Sequence, residues 1–226
     1  MLDGLFAAVP GRVRTEPELL DQLRSDRSGM RSSAAPLALV EAETVADVQA
    51  TCRYANEHGI PVVTRGAGTG LSGGAVAGHG EIVLSTAKMT RIHEISRDDL
   101  LCVVEPGIIN GDLNRELAKH GLWWSPDPAS KDLSTVGGNI AMNAGGLLCA
   151  KYGVTRESVL SLKVVLADGE LIEVGHRTVK GVTGLDLCAL MIGSEGTLGI
   201  IVEATLKLRP AVAGVVPTIG AYFDTV

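Results

Sequence analysis

Three stretches of this chain gather residues that could hold a ligand. The first, Pro61 to Gly74, reads PVVTRGAGTGLSGG, with glycine at 66, 68, 70, 73 and 74. Such a density is costly in chain entropy, so the folded backbone must use it. Two uses are open: a tight turn between core elements, or close approach by another molecule. Successive amides without side chains can form a concave nest of N–H donors that suits phosphate oxygens. Arg65 opens the loop with a cation, and Thr69 and Ser72 add donors around Ala67 and Leu71. The second stretch, Ser134 to Gly146, reads STVGGNIAMNAGG. It sets Gly137, Gly138, Gly145 and Gly146 beside Ser134, Thr135, Asn139 and Asn143. Small polar side chains next to bare amides can hydrogen-bond phosphates, hydroxyls or ring edges. The third, GSEGTLG at 193–199, places Glu195 between Gly193 and Gly196, where it could serve a ligand or its own loop.

Single residues add less. Asp127 lies between Pro126 and Pro128, as an Asx-turn acceptor or as a partner for a ligand hydroxyl. Tyr152, next to Gly153, could line a ring pocket or pack and donate its hydroxyl to a carbonyl. Gly68, Gly70 and Gly73 formally spell GxGxxG after a strand, but no periodic helix begins there and the acidic residue at the right distance would be Glu94. A Rossmann dinucleotide site is therefore rejected as the first choice. Walker A, CxxC and HExxH are all absent. A ligand-cradling chain with no nucleophile, metal set or carboxylate pair points to a cofactor that carries the chemistry.

These loops need a scaffold, and the hydrophobic pattern supplies an alternating α and β one. Thr15 and Glu18 suggest a capping box for a helix near Pro17 to Arg24. Pro36 to Val40, Ile60 to Val63 and Glu81 to Ser85 read as strands. Between the first two, Thr44 to His58 is the best helix, capped by Thr44 with Asp47 at its third position and stopped by Gly59. Residues 36–63 thus form a βαβ unit. Leu101 to Glu105 is a strand, Asn110 caps a helix to His120, and Val159 to Leu166 returns as Leu171 to Val174 through a two-residue Asp168-Gly169 turn. Asp186 to Ile192 is a short helix and Ile200 to Leu208 a long strand. Two lobes follow, about 34–90 and 98–210, behind a helical lead-in at 1–33.

Composition narrows the class. The 226 residues are 46% hydrophobic with 28 glycines, 3% aromatics and a net charge of −6. Scarce aromatics argue against stacking platforms for single-stranded nucleic acid, and the acidic balance against phosphate-backbone binding. No run of 18 apolar residues predicts a membrane span. Cys52, Cys102, Cys149 and Cys188 are scattered in apolar surroundings and read as buried free thiols. With no signal peptide evident, the expected location is cytoplasmic, with peripheral contact at a membrane through a partner as the alternative.

Taken in order, PVVTRGAGTGLSGGA, PDPASKDLSTVGGNIAMNAGG, KYG, LADGELIEVG and GSEGTLGIIVEATLKL resemble the FAD-linked oxidases of the vanillyl-alcohol-oxidase/PCMH type. The nearest likeness is to the glycolate oxidase D-subunit and the D-lactate and D-2-hydroxyglutarate dehydrogenases. The resemblance implies an α+β fold: a two-lobed FAD-binding domain over 34–212, each lobe a small mixed sheet with helices. It implies that Arg65, Gly66, Ala67, Gly68, Thr69, Gly70, Leu71 and Ser72 wrap the FAD diphosphate. Pro126, Asp127, Thr135, Val136, Gly137, Gly138 and Asn139 would cover the flavin and ribitol. Asn143, Gly145, Gly146, Tyr152 and Gly153 would complete the cradle, with Glu195, Gly196, Ile200 and Ile201 returning against the cofactor. No His stands in the first loop, where Thr69 lies, so the implied FAD is non-covalent. The implied reaction oxidises a D-2-hydroxy acid by hydride transfer from its C2 to flavin N5. Electrons would pass to an external acceptor: a quinone, cytochrome, electron-transfer flavoprotein or iron-sulfur subunit. Members of the family are about twice as long; a C-terminal cap domain, whose start would be 213–226, carries their substrate ligands and metal. The chain alone is therefore expected to turn over little substrate. A sugar or aldonolactone oxidase of the same fold, or a non-catalytic nucleotide-binding module, are the alternatives.

Overall fold

Thr44 starts the longest helix as its sequence demands. Its hydroxyl accepts from the Asp47 amide (3.2 Å), and the Asp47 carboxylate accepts from the Thr44 amide (2.9 Å). Such a reciprocal cap satisfies two donors that a helix start leaves orphaned. The structure, a computed structural model, describes residues 2–178 and 180–211, with 214, 220 and 225. Most of 213–226, where a cap domain was expected to begin, therefore lies outside the described residues. In chain order the elements are α1 (Leu2–Ala8), β1 (Val13–Arg14), α2 (Pro17–Gln22), β2 (Ala38–Glu41), α3 (Val45–His58), β3 (Val62–Arg65) and β4 (Ile82–Ser85). Then come β5 (Ile92–Ser96), β6 (Leu101–Val104), α4 (Asn110–Ala118), β7 (Leu122–Trp123), α5 (Val136–Ala141), α6 (Cys149–Tyr152), β8 (Val159–Val165), β9 (Leu171–Gly175), α7 (Leu187–Met191), β10 (Ile200–Lys207) and β11 (Arg209–Pro210).

The strands make two main sheets. One has four strands in the order β1-β2-β4-β3, the other five in the order β5-β6-β10-β8-β9. In the first, β2 and β3 both run parallel to β4, so β4 is inserted between the two ends of the βαβ unit. The second sheet is antiparallel throughout. The described residues of the lead-in, 2–33, pack onto the first sheet: β1 pairs with β2, and Leu5, Val9 and Val13 join Ala38, Val40, Tyr54 and Ile82 in its core. The strand at 92–96 is an edge of the second sheet.

A shared apolar cluster joins the sheets. Ala42, Val48, Cys52, Leu84 and Met89 from the first lobe meet Val165, Ile200 and Val202 from the second. Gln49 and Arg53 on α3 also donate to the Gly169 carbonyl (2.9 and 3.3 Å). Buried apolar contact and these bonds hold the lobes in one arrangement, so a cleft between them can be pre-formed. Among the described residues no helix is long and apolar enough to cross a membrane.

Several local expectations are corrected. Helix α2 has Glu16 at its N-cap position with no side-chain cap bond, and Pro17 at the first turn starts it instead. Proline fits there because its missing N–H has no helical partner to lose. The β8–β9 connection closes with Leu166 and Glu170 paired, which leaves a three-residue loop with only Gly169 at positive φ (82°). This is the turn with a left-handed third residue, not a two-residue turn. Asn110 is the first residue of α4 and does not cap it; its side chain is fully buried and engaged elsewhere. Residues 136–141 are helical, because α5 buries Val136 and Ile140 completely in the second lobe's core.

Candidate functional site

β3 delivers the first glycine loop to the seam between the sheets. Its ladder with β4 ends where the Thr86 amide donates to the Arg65 carbonyl (3.2 Å). Beyond that point the chain has no strand neighbour. From Gly66 to Gly74, among the described residues, no backbone amide donates a hydrogen bond to the protein. A row of unpaired N–H groups requires an acceptor from water or a ligand.

The back of this loop is held by Arg65. Its guanidinium donates to the Ala75 carbonyl (2.6 Å) and the Ser25 carbonyl (3.1 Å). Burial pulls the Arg65 pKa down, with the charge of Asp26 acting against that pull. Arg65 is thus a strut that places a positive charge beneath the amides, and it does not line the cleft. Burial pushes the Asp26 carboxyl up, but bonds from Ser28 and Ala75 and the Arg65 charge outweigh it and hold its pKa below the ordinary value. A depressed carboxylate contributes stability that is present above its unfolded pKa, about 3.9, and is lost as pH falls through the folded one. Acid titration of the wild type should therefore loosen this loop below about pH 4. Asp26→Asn should remove that component of the pH dependence; an unchanged acid limb in stability measurements would count against the strut.

Opposite the loop stands α5. The Thr135 hydroxyl accepts from the Gly138 amide (3.1 Å), while the Val136 and Gly137 amides donate to the Ile108 and Pro106 carbonyls (2.8 Å each). The first-turn amides are thus used by the protein. The expectation of bare amides from this second stretch is corrected: it offers Cβ-free surface and polar side chains. A third wall is the turn at 194–196. The Glu195 amide donates to the Ala141 carbonyl (2.9 Å), and its carboxylate stands beside Gly74. On the floor, β10 pairs with β6 only from Ala204 onward, so Ile200–Glu203 have no strand neighbour on that edge.

The walls enclose a cleft of about 320 Å³. This is within the range of small-ligand sites. Of the sequence candidates, Gly66, Ala67, Gly68, Thr69, Gly70, Leu71, Ser72, Thr135, Gly137, Gly138, Asn139, Glu195, Gly196 and Ile201 line it. The others stand elsewhere. Val136 and Ile200 are buried in core clusters. Asp127 accepts from the Leu148 amide (3.1 Å), and the Pro126 carbonyl accepts from Asn110 (3.0 Å). Asn143 accepts from the Arg156 amide (3.0 Å). Gly145 and Gly146 pack on Cys149 and on the Asp127 backbone. The Tyr152 ring meets Trp123 edge-on (5.2 Å) with the Arg209 guanidinium over it (4.6 Å), and Gly153 packs on Glu157.

Sequence reasoning missed Thr64, Thr86, Pro106, Ser130, Met142 and Ser194, which also line the cleft. Thr86 follows β4 directly, and Pro106 stands two residues past β6. The one available signal was their place just past strand ends, where α/β sheets collect ligands. Chemically, the cleft combines an amide nest, hydroxyls from Thr69, Ser72 and Ser130, and apolar walls from Ala141, Met142 and Ile201. That donor set fits a phosphate-bearing cofactor with a flat apolar part. No His, Cys, Lys or Arg lines it among the described residues. Burial pushes Cys52 up to about 11, and Cys102 and Cys188 up to about 12, so these thiols stay protonated.

Comparison with known proteins agrees with this reading. A family model described as "FAD binding domain" matches residues 36–175. A D-lactate dehydrogenase of Anaerostipes hadrus is 40% identical over 222 residues, which is 98% of this chain and 46% of that protein. The glycolate oxidase subunit GlcD of Bacillus subtilis (strain 168) is 44% identical over 77% of this chain and 37% of its own length. A D-2-hydroxyglutarate dehydrogenase of Stutzerimonas stutzeri (strain A1501) is 41% identical over 92% and 45%. The chain thus spans less than half the length of these curated relatives. Among solved structures, an alkyldihydroxyacetonephosphate synthase superposes with a TM-score of 0.78 at 21% identity, covering 89% of this chain and 38% of that one. With its two sheets and the amide-lined cleft between them, the chain belongs to the FAD binding domain family and has the two-lobed PCMH-type fold.

Proposed function

We propose that this chain is the cofactor-holding part of a flavin-dependent dehydrogenase that oxidises a D-2-hydroxy acid of the glycolate, D-lactate or D-2-hydroxyglutarate class. The observation that carries it is the run of unpaired amides from Gly66 to Gly74, in a loop whose residues 66–72 and 74 line the cleft. Those amides would hold the diphosphate of FAD, with Arg65 supplying charge from beneath. Thr135, Asn139, Glu195 and Ile201 would contact the rest of the cofactor. When bound, FAD supplies the two-electron acceptor that hydroxy-acid oxidation needs.

The residues present bind and orient, and they leave substrate chemistry to other groups. A 2-hydroxy acid carries a carboxylate, which calls for a cationic partner. The described cleft residues include no cation and one ionisable side chain, Glu195. Substrate ligands and the base are therefore assigned outside this domain, and the chain alone is expected to turn over little substrate. The names of the relatives, dehydrogenases and an oxidase subunit, support an external electron acceptor. The cofactor is non-covalent in this reading, since no His or Cys lines the cleft among the described residues.

The test is an absorbance spectrum of the purified chain before and after adding FAD and desalting. Retained oxidised-flavin bands are expected; a protein that stays colourless at saturating FAD refutes the assignment. Acid precipitation should then leave the flavin in the supernatant, and a yellow pellet would mean covalent attachment. Anaerobic addition of hydroxy acids to a version extended to the relatives' length should bleach the flavin. Failure with every hydroxy acid would favour the non-catalytic module.

A further inference from the structure

A buried chain of side-chain amides lies behind the cleft wall. The Trp124 amide donates to Asn114 Oδ1 (2.8 Å), and Asn114 Nδ2 donates to Asn110 Oδ1 (3.1 Å). Asn110 Nδ2 then donates both to the Pro126 carbonyl (3.0 Å) and to Asn139 Oδ1 (2.9 Å), and Asn139 Nδ2 donates to Ser134 Oγ (3.0 Å). Asn110, Ser134 and Asn139 are all nearly or fully buried.

The direction of this chain is forced by its backbone contacts. A peptide N–H can only donate and a peptide carbonyl can only accept. The Trp124 amide therefore requires the oxygen of Asn114, and the Pro126 carbonyl requires the nitrogen of Asn110. Each amide has one oxygen and one nitrogen, so the remaining ends follow. Asn110 presents its oxygen to Asn114 and its second N–H to Asn139. Asn139 must then receive that N–H on its oxygen and turn its nitrogen to Ser134. Reversing any one amide would set donor against donor or acceptor against acceptor in a buried place, which is costly.

We propose that Asn110 is a positioning residue for the cofactor cleft. By this one-way chain it fixes which way the amide of Asn139, a residue that lines the cleft, is turned, with one N–H and one oxygen lone pair of that amide left over from its bonds to Ser134 and Asn110. The same residue ties the Pro126 loop and α5 to the start of α4, so two segments of the site share one anchor. This inference rests on the assignment of FAD to the cleft.

The test is a double-mutant cycle on FAD dissociation constants, read by flavin fluorescence. Asn110→Asp has nearly the same shape but removes both donated bonds. It is expected to weaken FAD about 10-fold or more, with altered near-UV circular dichroism of the flavin that remains bound. Asn139→Ala should weaken FAD similarly, and Asn110→Asp made in that background should add little further loss. A purely structural Asn110 would instead lower thermal stability and give losses that add. Ser134→Ala, which removes only the last acceptor, should cause a loss of a few-fold and serves if Asn110→Asp does not fold. Wild-type protein that does not bind FAD overturns the cofactor assignment and this inference together. Wild type that binds FAD, with unchanged affinity in Asn110→Asp or with additive losses, overturns the inference alone.

Discussion

Gly70→Val is expected to strip the protein of its flavin and leave its fold intact. A Cβ built at Gly70 meets nothing within 4 Å, and its φ is not in the left-handed region, so the native backbone accepts a side chain there. The same residue lines the cleft within the run of unpaired amides. An isopropyl group would then occupy the space through which phosphate oxygens reach the N–H donors. Losing two charge-assisted bonds would weaken FAD by roughly 100-fold or more. Thermal unfolding without cofactor should be unchanged to within about 0.5 kcal/mol, as for an exposed substitution. Gly68 makes the informative contrast. It has φ +65°, and a Cβ there would run into the Arg65 guanidinium. Gly68→Val should lose flavin and stability together, because it both strains the backbone and dislodges the strut. Paired flavin titrations and melting curves separate the two effects. If Gly70→Val retains flavin like wild type, the diphosphate does not lie on these amides.

The second large effect is expected at Gly146, where the cost falls on the fold. A Cβ at Gly146 would overlap the Asp127 carbonyl oxygen, a backbone atom that no rotamer change can move. The Asp127 side chain is tied to the Leu148 amide on the same segment, so the two loops are clamped together. Gly146→Ala should therefore destabilise the protein by about 1–3 kcal/mol or somewhat more, as overpacking does. At roughly 2–4 °C per kcal/mol for a chain of this size, the melting temperature should fall by about 2–12 °C. Flavin affinity should fall less than in Gly70→Val, because Gly146 does not line the cleft. A Gly146→Ala protein with normal melting and no flavin would return this glycine to the cofactor contacts.

The contrast between these glycines shows how far the sequence could be read. Both sit in stretches whose composition alone marks an unusual backbone. Local chemistry legible in the chain included the Thr44 capping box, the apolar strands, the helix at 45–58 and the loop that follows β3. These depend on neighbours a few residues apart, and the chain states its neighbours directly. The order of motifs likewise carried the family and its cofactor. What the sequence could not state is which partner each glycine lacks a Cβ for. For Gly146 it is the Asp127 carbonyl, and for Gly137 it is Pro106; for Gly70 no protein atom stands there.

Tertiary structure alone decided three further matters. Arg65 reads as a phosphate ligand in sequence, yet the carbonyls of Ser25 and Ala75 claim its guanidinium. Tyr152 could line a ring pocket on its sequence, yet its ring meets Trp123 and Arg209 and it does not line the cleft. Asn110 reads as a helix cap, yet burial commits its amide to Pro126 and Asn139. In each case the competing partners lie at least 10 positions away along the chain, 10 for Arg65–Ala75 and 29 for Asn110–Asn139. The residue types thus determined that the chain would fold as α and β elements around glycine-rich loops, and the order of its motifs marked an FAD-binding domain. Which polar groups remain unpaired beside the cleft depends on the buried contacts each side chain finds, and those exist only once the two sheets have packed.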